Sequence, residues 1–258
     1  MDILSRLDEA RRTTNVLEHP FYERWSAGAL NPAELALYAA EYRHAVIALA
    51  AASSGAAELA ADAPHAPALH RHAAEETSHV ALWEEFERAL PSPATNTSTS
   101  PDTSALPTTA VSSTGPTGEE AGTPLAETPL RETRSRPRLP ETAACAQAWT
   151  AGEDLLEHLA VLYAIEAGQP EISQTKLEGL VEHYGYAPDA PATEYFRLHE
   201  RLDVEHAQQA GGLIQGLLAE LSEAEAESAA QRMTRRAQGA LRGNWLLLDG
   251  VERAAADA

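Results

Sequence analysis

Apolar residues recur at helical spacing from Asp2 to about Leu90, and the alternation that marks a half-buried strand is absent. Within that stretch Asn31-Pro32-Ala33-Glu34 combines a capping Asn, a Pro at the first helical position and a Glu three residues after the Asn. This pattern predicts a helix from Pro32 to about Ala52. A second helix is expected from about Ala66 to Leu90. Helical patterning resumes near Glu141 and runs to about Ala167, where Gly168-Gln169-Pro170 breaks it. A short helix from Glu171 to His183 ends at Tyr184-Gly185, and a longer one covers Ala192 to Leu221. Ser222-Glu223-Ala224-Glu225 is a capping box that opens a last helix reaching about Val251. Helices with no strand segment and no repeat at solenoid periods predict an all-α bundle.

Between Pro91 and Pro140 the composition turns to Thr, Ser, Pro, Gly and Glu, with few large apolar residues to offset the entropy of ordering. The expectation is one helical domain over residues 1–258, interrupted by a disordered insertion at 91–140. A structureless loop of that length would otherwise argue against a compact domain.

Charge narrows the function classes. With 39 acidic and 19 basic residues the chain carries a net charge of −20, a field that repels phosphate backbones and anionic lipid. No nucleic-acid partner and no membrane association is expected. The longest apolar stretch, Ala45 to Ala61, is mostly Ala and is interrupted by Ser53, Ser54, Gly55 and Glu58, which makes it a weak membrane span. The opening residues lack a secretion-signal layout, and the single Cys145 fits a reducing compartment, so a cytoplasmic location is expected.

Three segments carry candidate chemistry. His199, Asp203 and His206 fall at i, i+4 and i+7 and share one helix face, where three metal-ligand groups converge. Glu76-Thr-Ser-His79 is a Glu-x-x-His pair of the kind that carboxylate-bridged two-metal bundles use on facing helices. Glu166 lies on the same stripe as Leu159, Leu162 and Tyr163, so it is expected to point inward, where a carboxylate needs a partner or a metal. The bland readings are a solvated polar face for the first segment and a helix-end Glu turned to water for the third. Together, Glu76, His79, Glu166, His199, Asp203 and His206 form a set without thiolate, which favours iron, or an iron/manganese mixture, over structural zinc. Glu75 competes with Glu76, since both lie one turn before His79. His72, two turns before it, and the pair Glu41 and His44 are further open candidates.

These residues resemble a known group. His19-Pro20-Phe21-Tyr22, followed by Gly28-Ala29-Leu30 and Tyr38, is similar to the opening of TenA, PQQ synthase and the haem-oxygenase-like di-metal oxidases. Within that group the chain looks most like the CADD-like p-aminobenzoate synthases. The likeness rests on His79 to Trp83, on Tyr163 to Glu166 running into Pro170 to Leu180, on the His199, Asp203 and His206 triple, and on Trp245 to Val251. It implies a seven- to eight-helix haem-oxygenase-like bundle in which the six residues above hold two iron ions. It also implies dioxygen as co-substrate, an external reductant, and a product whose ring comes from a tyrosine and whose nitrogen comes from a lysine of the protein itself. Tyr22 and Lys176 stand at the matching positions, with Tyr38 and Tyr195 as nearby aromatics. One departure is local: the family separates its Glu and His on this helix by about two turns, whereas Glu76 and His79 are one turn apart.

Lys176 is the sole lysine, the other 18 basic residues being Arg. Its retention fits a task that a permanently charged guanidinium cannot perform, such as presenting a neutral amine. The break at Gly168 to Pro170 is expected to let the short helix fold back and aim that amine at the metals, and Lys176→Arg to preserve folding while abolishing the product. Competing readings are a related di-iron N-oxygenase or oxidative C–C cleaving enzyme acting on a small amine or amino acid, a metal-free TenA-like hydrolase, and a helical interaction module. A homodimer is left open.

Overall fold

The structure, a computed structural model, describes residues 2–61, 63–91 and 136–257. Its helices are α1 (Ile3–Thr13), α2 (Pro20–Ser26), α3 (Pro32–Leu59), α4 (Ala66–Ala89), α5 (Pro140–Thr150), α6 (Leu155–Glu166), α7 (Gln169–Glu182), α8 (Pro191–Ala219) and α9 (Glu223–Ala256), with a 3-10 turn at Val16–Glu18. No strand occurs among the described residues. The all-α expectation holds. The predicted insertion falls largely on residues outside the described ones; its last residues, from Arg136 on, are described and run into α5.

Both sequence-level capping boxes form, at Asn31–Glu34 and at Ser222–Glu225. Two boundaries differ from expectation. The α3 helix runs on to Leu59 through Ser53-Ser54-Gly55, because the two hydroxyls bond back to the carbonyls of Leu49 and Ala50 and stay within the helical ladder. The expected single helix from Glu141 to Ala167 is broken at Ala151 to Asp154, where Asp154 caps the new helix by accepting from the Glu157 amide.

In the packing, α3 lies along α4, α4 and α7 along α8, and α6 is clasped between α8 and α9. Close approach is enforced at Gly179, where a Cβ would lie 2.5 Å from the Trp25 indole nitrogen. That contact pins α7 to α2, and the indole also donates to the Lys176 carbonyl at 3.2 Å. The two ends of the chain meet at His19: its Nδ1 accepts from the Phe21 amide and caps α2, while Nε2 lies 3.1 Å from Asp249 on α9. No helix among the described residues is long and apolar enough to cross a membrane.

Candidate metal centre and aromatic chamber

Helices α4 and α8 face each other and present the same pattern. His72, Glu76 and His79 on α4 fall at i, i+4 and i+7, and so do His199, Asp203 and His206 on α8. Glu166, the last residue of α6, closes the group from a third helix. All seven residues are buried, with Glu76, Glu166, His199 and Asp203 fully enclosed. Their ligand atoms gather into three overlapping groups: Glu76 with His79 and His199; Glu76 with Asp203 and His206; and His72 with Glu166 and His206. The structure therefore brings together all six sequence-predicted ligands and adds His72.

Hydrogen bonding on the outside of the cluster orients the rings. His199 Nδ1 lies 2.7 Å from the Tyr195 carbonyl, which makes Nδ1 the donor and leaves the Nε2 lone pair facing inward. His206 Nε2 lies 3.2 Å from Glu75, so its Nδ1 is the free nitrogen, 3.4 Å from Asp203 and 3.7 Å from Glu76. The alternative between Glu75 and Glu76 is thereby resolved in position: Glu76 sits among the ligand atoms, and Glu75 holds the far side of His206. His72 Nε2 comes within 2.9 Å of Glu166 without the angle of a hydrogen bond.

Among the described residues, eight of the eighteen buried side-chain polar atoms that lack a hydrogen-bond partner belong to this one cluster. They are His72 Nε2, Glu76 Oε2, both oxygens of Glu166, His199 Nε2, both oxygens of Asp203 and His206 Nδ1. Each such atom costs about 1–3 kcal/mol if nothing meets it. Bare carboxylate oxygens facing imidazole lone pairs are what divalent cations satisfy, and the mix of hard oxygen and imidazole fits iron. Without a cation the cluster has to hold protons. Burial lifts the carboxyls of Glu166 and Asp203, the latter to about 8, and burial lowers His199 to about 4. At His206 burial opposes the charged ring, but Asp203 and Glu166 outweigh it and push it up to about 9. Metal binding would displace these protons.

Beside the cluster lies a chamber of rings. Lys176 is 1% exposed, with its Nζ 4.4 Å from the ring centre of Tyr42, 5.3 Å from Tyr38, 5.5 Å from Trp83 and 5.6 Å from both Tyr22 and Phe196. Burial alone lowers its amine to about 7. The phenols of Tyr22, Tyr38 and Tyr42 are pushed up, also by burial, and stay protonated. Tyr195 joins the two regions: its ring stacks on His199 at 3.9 Å and meets Trp83 edge-on at 4.9 Å. Lys176 is thus a core residue and does not lie on a solvated helix face. Sequence reasoning left His72 open, where the repeated His-x3-acid-x2-His pattern could have selected it, and missed Tyr42, which lies one turn after Tyr38 on the same face. Glu41, in contrast, is buried but accepts the backbone amides of Arg138 and Leu139, and neither it nor the half-buried His44 joins the ligand groups.

An all-helical bundle thus encloses a cluster of carboxylates and imidazoles able to hold metal ions. The chain belongs to the iron-containing redox enzyme family, whose profile matches residues 36–240. It is 28% identical over 222 residues to a 4-aminobenzoate synthase of Chlamydia muridarum, covering 84% of this chain and 79% of that protein. To a protein of the same name from Nitrosomonas europaea it is 27% identical over 246 residues, covering 95% and 89%. Among solved structures it resembles a domain of unknown function with a haem oxygenase-like fold from Shewanella denitrificans, at TM-score 0.67 and 14% identity over 99% of this chain and 94% of that one. A TenA homologue from Pseudomonas syringae is similar at TM-score 0.66 and 16% identity, covering 97% and 91%. These structural likenesses establish the haem-oxygenase-like fold.

Proposed function

We propose that this oxidoreductase is a dioxygen-activating non-haem di-iron enzyme that forms p-aminobenzoate, a folate precursor, from its own tyrosine and lysine side chains. The observation that carries the reading is the sole lysine of the chain, buried among tyrosine rings one aromatic layer from the ligand cluster. Two iron ions held by Glu76, His79, Glu166, His199, Asp203 and His206, with His72, would supply dioxygen activation once an external donor reduces them. The chamber does the rest. Its apolar walls keep Lys176 near half-neutral at neutral pH, which leaves a lone pair on Nζ for bond formation. They also keep water from the rings and hold Tyr22, at the position matching the family's ring donor, within reach of that amine. The orphaned ligand atoms disfavour the metal-free hydrolase reading, since a TenA-like chemistry would leave them unexplained.

Intact-mass analysis tests this. After loading with Fe(II), reduction and exposure to dioxygen, the wild-type chain is expected to become lighter as p-aminobenzoate appears, whereas Lys176→Met and Tyr22→Phe keep their mass and yield no product. Sustained turnover on an added amine at unchanged protein mass would instead favour the N-oxygenase or C–C cleaving alternative. If Tyr22→Phe alone still gives product, Tyr38, Tyr42 and Tyr195 become the ring donors to test.

A further inference from the structure

A cavity of about 120 Å3 lies behind the turn from α6 to α7, bordered by Arg11 of α1, Gln169 of α7 and Asn244 of α9. It is separate from the ligand cluster and from the chamber, yet it abuts both. Gln169 follows Glu166 by three residues, and the carboxamides of Gln169 and Asn244 stand beside the hydroxyl of Tyr42. Gln169 is 3% and Asn244 5% exposed, and their side-chain oxygens meet no donor among the described residues. Arg11 Nε likewise meets no acceptor, and the ion pair of Arg11 with Asp8 is long, at 3.7 Å. The start of α7 lacks a side-chain cap, and Glu171 of its first turn and Arg12 of α1 also border the space. Ile165, Ile172 and Leu241 supply apolar wall. The space is small beside the ~300–1,000 Å3 of sites for larger ligands, and suits one ring.

The carboxamides of Gln169 and Asn244, the Arg11 side chain and the apolar sides select for a flat molecule with a donor at one end and an anion at the other. We propose that this cavity binds a small amino-substituted aromatic carboxylate, with the carboxylate on Arg11 and the amino group on the carboxamide oxygens of Gln169 and Asn244. In this protein it is the holding site for released p-aminobenzoate, an assignment that rests on the function proposed above. The side wall formed by Tyr42, Gln169 and Asn244 is then the partition between the place of synthesis and the place of storage.

Calorimetric titration of the full-length, iron-loaded protein tests the assignment, with p-aminobenzoate, benzoate and aniline as separate probes. Wild type is expected to bind p-aminobenzoate at least about ten-fold more tightly than either fragment, since each fragment lacks one of the polar anchors. Arg11→Met should weaken p-aminobenzoate and benzoate by about ten-fold and leave aniline unchanged. Gln169→Met should weaken p-aminobenzoate and aniline and spare benzoate; if that buried change prevents folding, the arm at the partly exposed Arg11 decides alone. Absence of saturable binding, equal affinity for p-aminobenzoate and benzoate, or indifference to Arg11→Met would each overturn the proposal, leaving ordered water as the occupant. The intact-mass experiment scores the parent reading independently. Product without binding here removes only the cavity assignment, and selective binding without mass loss removes only the self-sacrificing chemistry.

Discussion

In the cluster on α4, α6 and α8, seven ionisable side chains are packed out of water beside one another; in the chamber next to it, a single amine is packed among five rings. Both regions are buried to a similar degree, and burial has different consequences in each. Carboxylates and imidazoles in the cluster can satisfy one another only in part, and what remains is a set of inward-facing lone pairs that a cation completes. Among the described residues no carboxylate pairs with Lys176, and the rings offer only weak cation attraction, so the amine gives up its proton instead. Burial thus prepares one region to bind a positive ion and the other to lose a positive charge. Tyr195 joins the two regions, stacked on His199 on one side and edge-on to Trp83 of the chamber on the other.

The largest effect should come from removing a ligand. Wild type reconstituted anaerobically with Fe(II) is expected to bind about two metal ions per chain, and His199→Ala or Asp203→Ala to lose most of them, because the remaining buried carboxylates then repel one another with less cation to offset them. Elemental analysis after removal of free iron reads this directly. A folded wild type that retains no iron or manganese would end the metal-centre reading.

The opposite behaviour is expected in the chamber, where deleting the charged group should stabilise the fold. The fall from 10.5 to about 7 corresponds to at most about 5 kcal/mol, at roughly 1.4 kcal/mol per pH unit. Between pH 7 and 10.5 the unfolded chain holds a proton on Lys176 that the folded chain has released, so this contribution destabilises the fold near pH 7 and fades as pH rises. The facing phenols are pushed upward and do not titrate in that window. Lys176→Met should therefore be more stable than wild type by about 2–5 kcal/mol at pH 7, with the gap closing toward pH 10. Urea unfolding at several pH values reads it; a variant that is less stable at pH 7 would contradict the picture of a bare amine among rings. Burial also changes the choice of probe. The sequence alone suggests Lys176→Arg, but a guanidinium cannot shed its charge in this space and is expected to destabilise the fold.

A smaller effect separates the two adjacent glutamates. Glu75→Gln should weaken iron binding by about 10–100-fold through loss of the group that orients His206, whereas Glu76→Gln should remove a ligand common to two of the three groups and cost more. Competition with a chelator of known affinity ranks the two. Equal effects would mean that Glu75 enters the cluster.

How much of this was legible depended on how local each signal was. The ligand triple on α8 and the capping boxes are short-range patterns, and they survive folding because helix geometry is set within a few residues. Glu166 was legible from its apolar neighbours, and its burial follows them. His72 was visible but underweighted: the second copy of His-x3-acid-x2-His gains meaning only once α4 and α8 are known to face each other. The break before α6 was hidden because Asp154 lies in a run of small and acidic residues that reads as continuous helix, and nothing local announces that Gly152 packs against the His158 ring. The chamber was the least legible region, since Tyr22, Tyr42, Trp83, Lys176 and Phe196 come from five different helices.

The smallest effect should follow from shortening the chain between α4 and α5, and it depends on where the cut ends. Residues 92–135 are rich in Thr, Ser, Pro and Gly, and their composition offers little to a packed core. Replacing them with a short flexible linker should leave helical content and iron binding near wild type, because loop-closure entropy changes only slowly with length. Extending the deletion to Arg138, with a linker that ends in Pro and so brings no amide to that place, is a different experiment. Glu41 is 1% exposed, and its two carboxylate oxygens accept the amides of Arg138 and Leu139 at 3.1 and 3.3 Å. Losing the first of these donors leaves a buried carboxylate oxygen unmet, at about 1–3 kcal/mol. That loss falls on α3, whose Tyr38 and Tyr42 line the chamber, rather than on the ligand cluster. The longer deletion should therefore lower the melting temperature by several degrees while iron stoichiometry holds, a pattern that thermal denaturation and elemental analysis together can read. Equal stability for the two deletions would show that Glu41 finds other donors, and loss of iron in either would tie this segment to the metal centre.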